Sequence, residues 1–306
     1  MTGTPCSCEN AGAGTAALVK NNMKMKKPLI CLLLTFSFLV ILPLRIPADE
    51  LDFINRPLNA TGLTGLLITT SPFSLEPGAV ETGISIFSEN SKIPDYTLSE
   101  YTAFISVGTG KGTELAIRGC SFSKTSPSAA SERGAGDVEL SFKWNFLKTN
   151  PESPSVPAVA VIITGIAPTG DKKTEMNRVQ HWGALVGLSA GTDIGWREHI
   201  LGIYVDAQMA FQDLSDERYR DRYHTIHAGM LFPISKYRNL QVLIEYATVS
   251  GKDVINIDGS DYTAFTYGLR LVSERLNLTV GTQFLYKEVE GYDNSGRIIG
   301  MLSAKF

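Results

Sequence analysis

The groups in this sequence that could do chemistry are four histidines, one cysteine clear of the leader, a few serines and a set of charged residues on alternating positions. His224 and His227 stand three apart in a run that alternates like a strand, so they face opposite sides and cannot share a metal ion. His181 and His199 have no partner at ligand spacing. Cys6-x-Cys8 lacks a downstream Cys/His cluster, and with Cys31 it falls in a segment expected to be removed, leaving Cys120 with nothing to oxidise against. A serine hydrolase would need a serine, a histidine and an orienting Asn or Asp. Ser189, Ser273 and Ser303 sit in no such pattern, so the expectation is a protein that is not an enzyme and uses no metal or cofactor.

Two further motifs carry little. The run 108–113, Gly-Thr-Gly-Lys-Gly-Thr, looks able to cradle phosphate, but it lacks the upstream glycine and leads into a strand, not a helix. A tight turn is expected there. Asn256-Ile257-Asp258-Gly259 with Asp253 and Asp261 suggests a calcium loop, yet no glutamate closes it at the twelfth position. It reads as an exposed acidic loop with at most weak divalent binding.

The charges are more informative. Glu81, Glu114, Arg118, Glu139, Lys143, Asp206, Glu245, Arg270, Lys287 and Arg297 all fall on the polar side of alternating segments. Residues 137–146 show the pattern: Asp, Glu, Ser, Lys and Asn at odd positions, Val, Leu, Phe, Trp and Phe at even ones. Successive side chains of a strand point to opposite faces, so such a strand has one apolar wall and one polar wall. Two outcomes are open for charges gathered on an inner wall. They line water and set selectivity, or they pair into a network that closes the interior, since unpaired charge at low dielectric is expensive.

Alternating segments recur at 79–89, 98–107, 113–123, 136–147, 157–167, 182–192, 198–212, 222–233, 239–249, 261–272, 276–288 and 296–306. Most approach the ~9–11 residues of a tilted membrane-spanning strand. Connections alternate between short (108–112, 192–197, 233–238, 273–275) and longer, more polar ones (89–97, 124–134, 169–181, 213–221, 250–260, 289–295). The connection 148–156 is the long member of the short set. Tyr101, Trp144, Tyr223 and Tyr246 near strand ends suit an interfacial girdle. The fold class expected is all-β: a transmembrane antiparallel up-and-down barrel of about 12 strands, with short periplasmic turns and longer outer loops.

Lys24, Lys26 and Lys27 before the apolar run 29–44, then Ile46-Pro47-Ala48, read as a signal peptide removed after Ala48. The expected organisation is a leader (1–48), an N-terminal periplasmic or entry segment (49–78) and an outer-membrane barrel (79–306). Within the entry segment, 62–70 reads as a short apolar strand. Losing the leader removes Lys20, Lys24, Lys26, Lys27, Arg45 and Glu9, which moves the net charge from −3 to −7. An acidic chain with no basic cluster is not expected to bind nucleic acid.

The last strand ends on Phe306, with Ile298, Gly300, Leu302 and Ala304 on the same face. It resembles the C-terminal signal by which outer-membrane barrels engage the barrel-assembly machinery, with Met301 where that signal usually has glycine. Gly136-Asp137-Val138-Glu139-Leu140, followed by 160–166 and Pro168-Thr169-Gly170-Asp171, resembles the outer-membrane barrels of the meta-pathway phenol-degradation and transporter-like type. The likeness covers about 136–192 and lies in a "GD" strand leading to a strand that ends in "PTGD". Thr61-Gly62-Leu63-Thr64-Gly65-Leu66 is similar to the entry strand of exopolysaccharide-associated outer-membrane barrels. These resemblances imply an outer-membrane channel or transport component for small solutes, set among the lipids of the bacterial outer membrane. The alternatives are a closed-lumen structural or polysaccharide-export barrel and a surface lipid-modifying enzyme.

Overall fold

The computed structural model describes residues 54, 56–92, 95–126, 129–148, 156–171, 179–196, 199–214, 222–234, 239–251, 261–287 and 294–306. The strands are β1 (Val80–Lys92), β2 (Asp95–Gly110), β3 (Thr113–Ser126), β4 (Ala129–Ala135), β5 (Val138–Leu147), β6 (Ala158–Ala167), β7 (Val179–Trp196), β8 (His199–Leu214), β9 (Arg222–Pro233), β10 (Leu240–Gly251), β11 (Tyr262–Val272), β12 (Leu276–Lys287) and β13 (Ser295–Lys305). Apart from β4 and β5, which both pair with β3, each pairs antiparallel with its sequence neighbours, and β1 closes onto β13 from Glu81↔Lys305 to Asn90↔Gly296. β4 pairs with the far part of β3 and β5 with its near part, so the two share one position in the wall. The result is a closed 12-strand antiparallel barrel. Closure is how an antiparallel sheet in a membrane satisfies its backbone without a free edge.

The interruption between β4 and β5 explains the motif pair that stood out in the sequence. Gly136 N–H bonds to Cys120 O at 2.8 Å, and Asp137 accepts the Gly170 N–H at 2.7 Å. Asp171 N–H bonds to Ala135 O at 2.9 Å, and the Thr169 hydroxyl accepts the Val138 N–H at 2.8 Å. The Pro-Thr-Gly-Asp stretch after β6 is thus spliced into the broken strand. A Cβ at Gly136 would lie 2.3 Å from the Cys120 sulfur, so a side chain there would have to displace the thiol.

Facing follows strand parity. The outer wall carries Ile84, Ile117, Leu140, Leu188, Val205, Leu269 and Val280, all exposed, as expected of a surface whose solvent is lipid. Tyr101 and Trp144 point outward with them. Tyr223 does not: it shares parity with buried Thr225, Gly229 and Leu231 and points inward, because the register of β9 against β10 is set by the apolar set on the other face.

Two stretches expected as loops are strand. β1 and β2 stay paired out to Lys92↔Asp95, and β3 and β4 to Ser126↔Ala129, absorbing most of 89–97 and 124–134. The polar residues there no longer need to alternate for lipid, so the ladder continues without a sequence signal. Likewise 192–196 belongs to β7. The turn between β2 and β3 is tight, with Gly110, Lys111 and Gly112 at φ 94°, 54° and 80°. Its glycines supply left-handed backbone, not a phosphate site. Of the suspected calcium loop only Asp261 lies within the described residues.

Candidate functional site

The barrel interior is occupied by the chain's own N-terminal segment. Between Arg56 and Glu76 the sequence has no charged side chain. Leu58, Leu63, Leu66 and Leu67 are fully buried. Leu58, Leu66 and Leu67 pack with the inward side chains Phe104, Leu231, Leu243, Ile299 and Met301 in one apolar cluster. The stretch 62–70, expected as a strand, is a knot of turns. Its only ladder contacts are the isolated bridges Leu58↔Thr64 and Gly65↔Thr70. Asn59 ties the knot: its amide donates to Ile68 O at 2.9 Å and to the Thr70 hydroxyl at 3.1 Å, and its carbonyl accepts the Thr61 N–H at 2.9 Å. Gly62 sits at φ +82°, and a Cβ at Gly65 would lie 2.3 Å from Thr69 O, so the fold of the knot needs both glycines.

A knot of turns leaves backbone groups unsatisfied, and inside a barrel no bulk water can serve them. The inward charges do. On β10, Glu245 accepts the N–H groups of Leu67, Ile68 and Thr69 at 2.6, 2.9 and 2.8 Å. On β11, Arg270 donates to Gly65 O at 2.9 Å and to Leu66 O. An anion and a cation on neighbouring strands thus take five consecutive residues of the turn, carbonyls first and amides after.

β3 and β5 repeat the device. Glu114 and Lys143 face each other in register and pair at 2.9 Å. Glu114 accepts Thr64 N–H at 2.9 Å, and Lys143 donates to Phe73 O at 2.6 Å and to Ser71 O at 3.3 Å. Asp206 on β8 takes Thr70 N–H at 2.8 Å, while Ser189 on β7 donates to Thr70 O at 2.6 Å. Weaker contacts hold the first leg: Leu58 N–H to Glu81 at 3.3 Å, and Arg118 to Ala60 O at 3.2 Å.

Toward the loop end of the barrel the inward charges pair with each other, Arg118 and Asp206 doing so while they also hold the inserted segment. Arg118 meets Glu139 at 2.6 Å, and Arg297 meets Glu89 at 2.7 Å. His227 meets Asp206 at 3.0 Å. All the inward residues named from the sequence point into the barrel, except that the side chain of Lys287 lies outside the described ones. Sequence reasoning missed Glu89 and Asp193, and above all the ligand of the charged wall, which is the segment 57–75 itself. Its one trace in the sequence is a charge-free, Leu- and Thr-rich run placed just before the first strand.

The other reactive groups have local roles. His224 lies on the outer side against the Ser250 hydroxyl, opposite His227. Ser303 donates to Glu81, and Ser273 caps the turn before β12. The side chains of His181 and His199 lie outside the described ones.

No protein-family model and no curated protein matches the chain. Among solved structures it is similar to an outer-membrane channel from Pseudomonas putida F1, with TM-score 0.57 and 12% identity over 76% of this chain and 97% of that one. The KdgM porin in complex with disordered oligogalacturonate follows at TM-score 0.48 and 11% identity, covering 74% of this chain and 99% of that one. LpxR from Salmonella typhimurium stands at TM-score 0.48 and 11% identity, covering 72% and 99%. The first likeness places the chain in the fold class of outer-membrane β-barrels; at such identity it speaks of fold alone.

Proposed function

We propose that this protein sits in the bacterial outer membrane as a channel or transport component for small solutes, closed at rest by its own N-terminal segment. The observation that carries the reading is the fastening of a charge-free segment across the lumen from β1, β3, β5, β7, β8, β10 and β11. Buried charges that read backbone amides and carbonyls hold a removable ligand as well as a fixed one, and a barrel built only for rigidity could fill its interior with apolar side chains at lower cost. The short-turn end, where both Val80 and Phe306 lie, is the periplasmic side under this reading. β13, followed by the exposed Phe306, is the strand offered to the barrel-assembly machinery.

Planar-bilayer recording tests this. Full-length protein should give little steady current, and the double variant Glu245→Ala/Arg270→Ala, which frees 65–69, should give stepwise conductance. Steady current of equal size from both proteins would sink the closure. The runner-up is a permanently closed structural or export-associated barrel, favoured by the apolar contacts of Leu66 and Leu67 with the wall. Silence from the folded double variant would decide for it.

A further inference from the structure

The wall holds two parts of the inserted segment by different means. At the short-turn end the contacts are to side chains. The Arg56 guanidinium pairs with Asp193 on β7, donates from Nε to the Tyr204 hydroxyl on β8 at 2.9 Å, and lies 4.0 Å from the centre of the Phe73 ring. The Phe73 and Tyr204 rings meet edge to face at 6.3 Å. Deeper in the lumen the contacts are to the main chain. Glu245 accepts three consecutive N–H groups, those of Leu67, Ile68 and Thr69, and Arg270 donates to the two carbonyls just before them. Asp206 and Ser189 take the N–H and the carbonyl of Thr70, and Lys143 donates to Ser71 O. Among the described residues, the only side chains of 64–71 that hydrogen-bond to the wall are the hydroxyls of Thr64 and Thr69.

The leucines between these bonds need only room. A Cβ at Gly229 would lie 2.6 Å from Leu66 Cδ2, and one at Gly281 would lie 3.0 Å from Leu67 Cδ2, so wall glycines leave a hollow for each. A site of this kind reads polypeptide and depends little on sequence. A carboxylate set against N–H groups and a guanidinium set against carbonyls satisfy any run of amides. Glu245 and Arg270 balance each other in charge, so the occupant that suits them is neutral. Once the segment leaves, both need water or an occupant that presents the same acceptors and donors in the same order. Two carbonyls followed by three N–H groups is the pattern of a peptide; a sugar offers hydroxyls that donate and accept alike. We propose, on the reading of the segment as a removable closure, that the solutes of this channel are short neutral peptides, and that 65–69 occupies their place while the lumen is closed.

Cysteine labelling tests the class of solute apart from conductance. In full-length protein whose native cysteines are replaced by serine, Leu67→Cys is reacted, in liposomes, with a small maleimide. Acetyl-Gly-Ala-Ala-Ala-Thr-amide, which keeps the main chain of 65–69 and drops its large side chains, is added on both sides of the membrane. A ligand that binds only the open lumen raises the open population in step with its concentration, so labelling should speed up about fivefold or more at about 10 mM peptide. The same peptide methylated on the nitrogens that stand for 67, 68 and 69 should leave the rate unchanged, and so should raffinose. Ile68→Cys serves if Leu67→Cys does not assemble. No acceleration by the plain peptide, or equal acceleration by the methylated peptide or by raffinose, overturns the proposal. Current from Glu245→Ala/Arg270→Ala without a peptide effect removes the peptides and leaves the channel reading standing. A peptide effect with no current from that double variant keeps the peptide site and removes the channel.

Discussion

The two halves of the lumen use the same kinds of residue for different ends. Toward the short-turn end, Glu114 and Lys143 have side-chain exposures of 0% and bond to the inserted segment. Toward the loop end, Arg118 and Glu139 remain 20% and 18% exposed, and Arg297 is 23% exposed beside its buried partner Glu89 at 4%. The strands are the same and so is the parity. What differs is mainly the material against the charges: turns of the inserted segment in one half and other charged side chains in the other, with Arg118 and Asp206 at the border touching both. What a charged side chain on an inner wall binds therefore depends on what fills the space before it.

The sharpest way to break that contrast is to remove a buried cation. Arg270→Ala strands Gly65 O and Leu66 O and leaves Glu245 without its neighbouring cation, and loss of one partner in such a buried set costs about 3–5 kcal/mol. Heat-modifiability gels should show a clear drop in the unfolding temperature. A variant as heat-stable as the parent would mean the inserted segment contributes nothing to the fold. Leu67→Ala probes the apolar side of the same half. Its Cδ2 packs over Gly281, where an added Cβ would lie 3.0 Å from it, and emptying that space should cost about 2–4 kcal/mol in chemical unfolding.

Ile244→Arg lies one residue from Glu245 on the lipid side. It should cost about 2–4 kcal/mol through an arginine in hydrocarbon, read as lost assembly in the outer-membrane fraction. Good assembly would mean that the register of β10 is reversed. Arg297→Ala should have the smallest effect, about 1 kcal/mol, because solvent reaches Arg297 and the buried Glu89 keeps the Ser295 and Tyr96 hydroxyls as donors. It should instead alter ion preference in any variant that conducts. If Arg297→Ala and Arg270→Ala unfold together at the same temperature, the two halves are energetically alike and the contrast fails.

The wall of the barrel was legible in the chain because its causes are local. Lipid on one side and protein or water on the other impose a period of two, which Leu240 to Tyr246 and Leu276 to Tyr286 display without any tertiary knowledge. The tight turn at 108–112 was likewise written in its glycines. Tyr223 was misread as a girdle residue because an aromatic near a strand end suits either face. The paired extensions of β1 with β2 and β3 with β4 were missed because, beyond the lipid, nothing forces alternation.

What the sequence by itself determined is therefore the barrel, its facing and the presence of charges of both signs on the inner wall. Only the tertiary structure decided what those charges meet. The segment 57–75 is apolar enough to pass for a strand, and its turns come from Asn59, Gly62 and Gly65 acting together with anchors far away in the chain, such as Glu245 and Arg270. Backbone amides and carbonyls are present in every residue and leave no mark on composition. Which of them a buried carboxylate or guanidinium will hold is settled by closing the sheet around them, and that closure is a long-range event between β1 and β13.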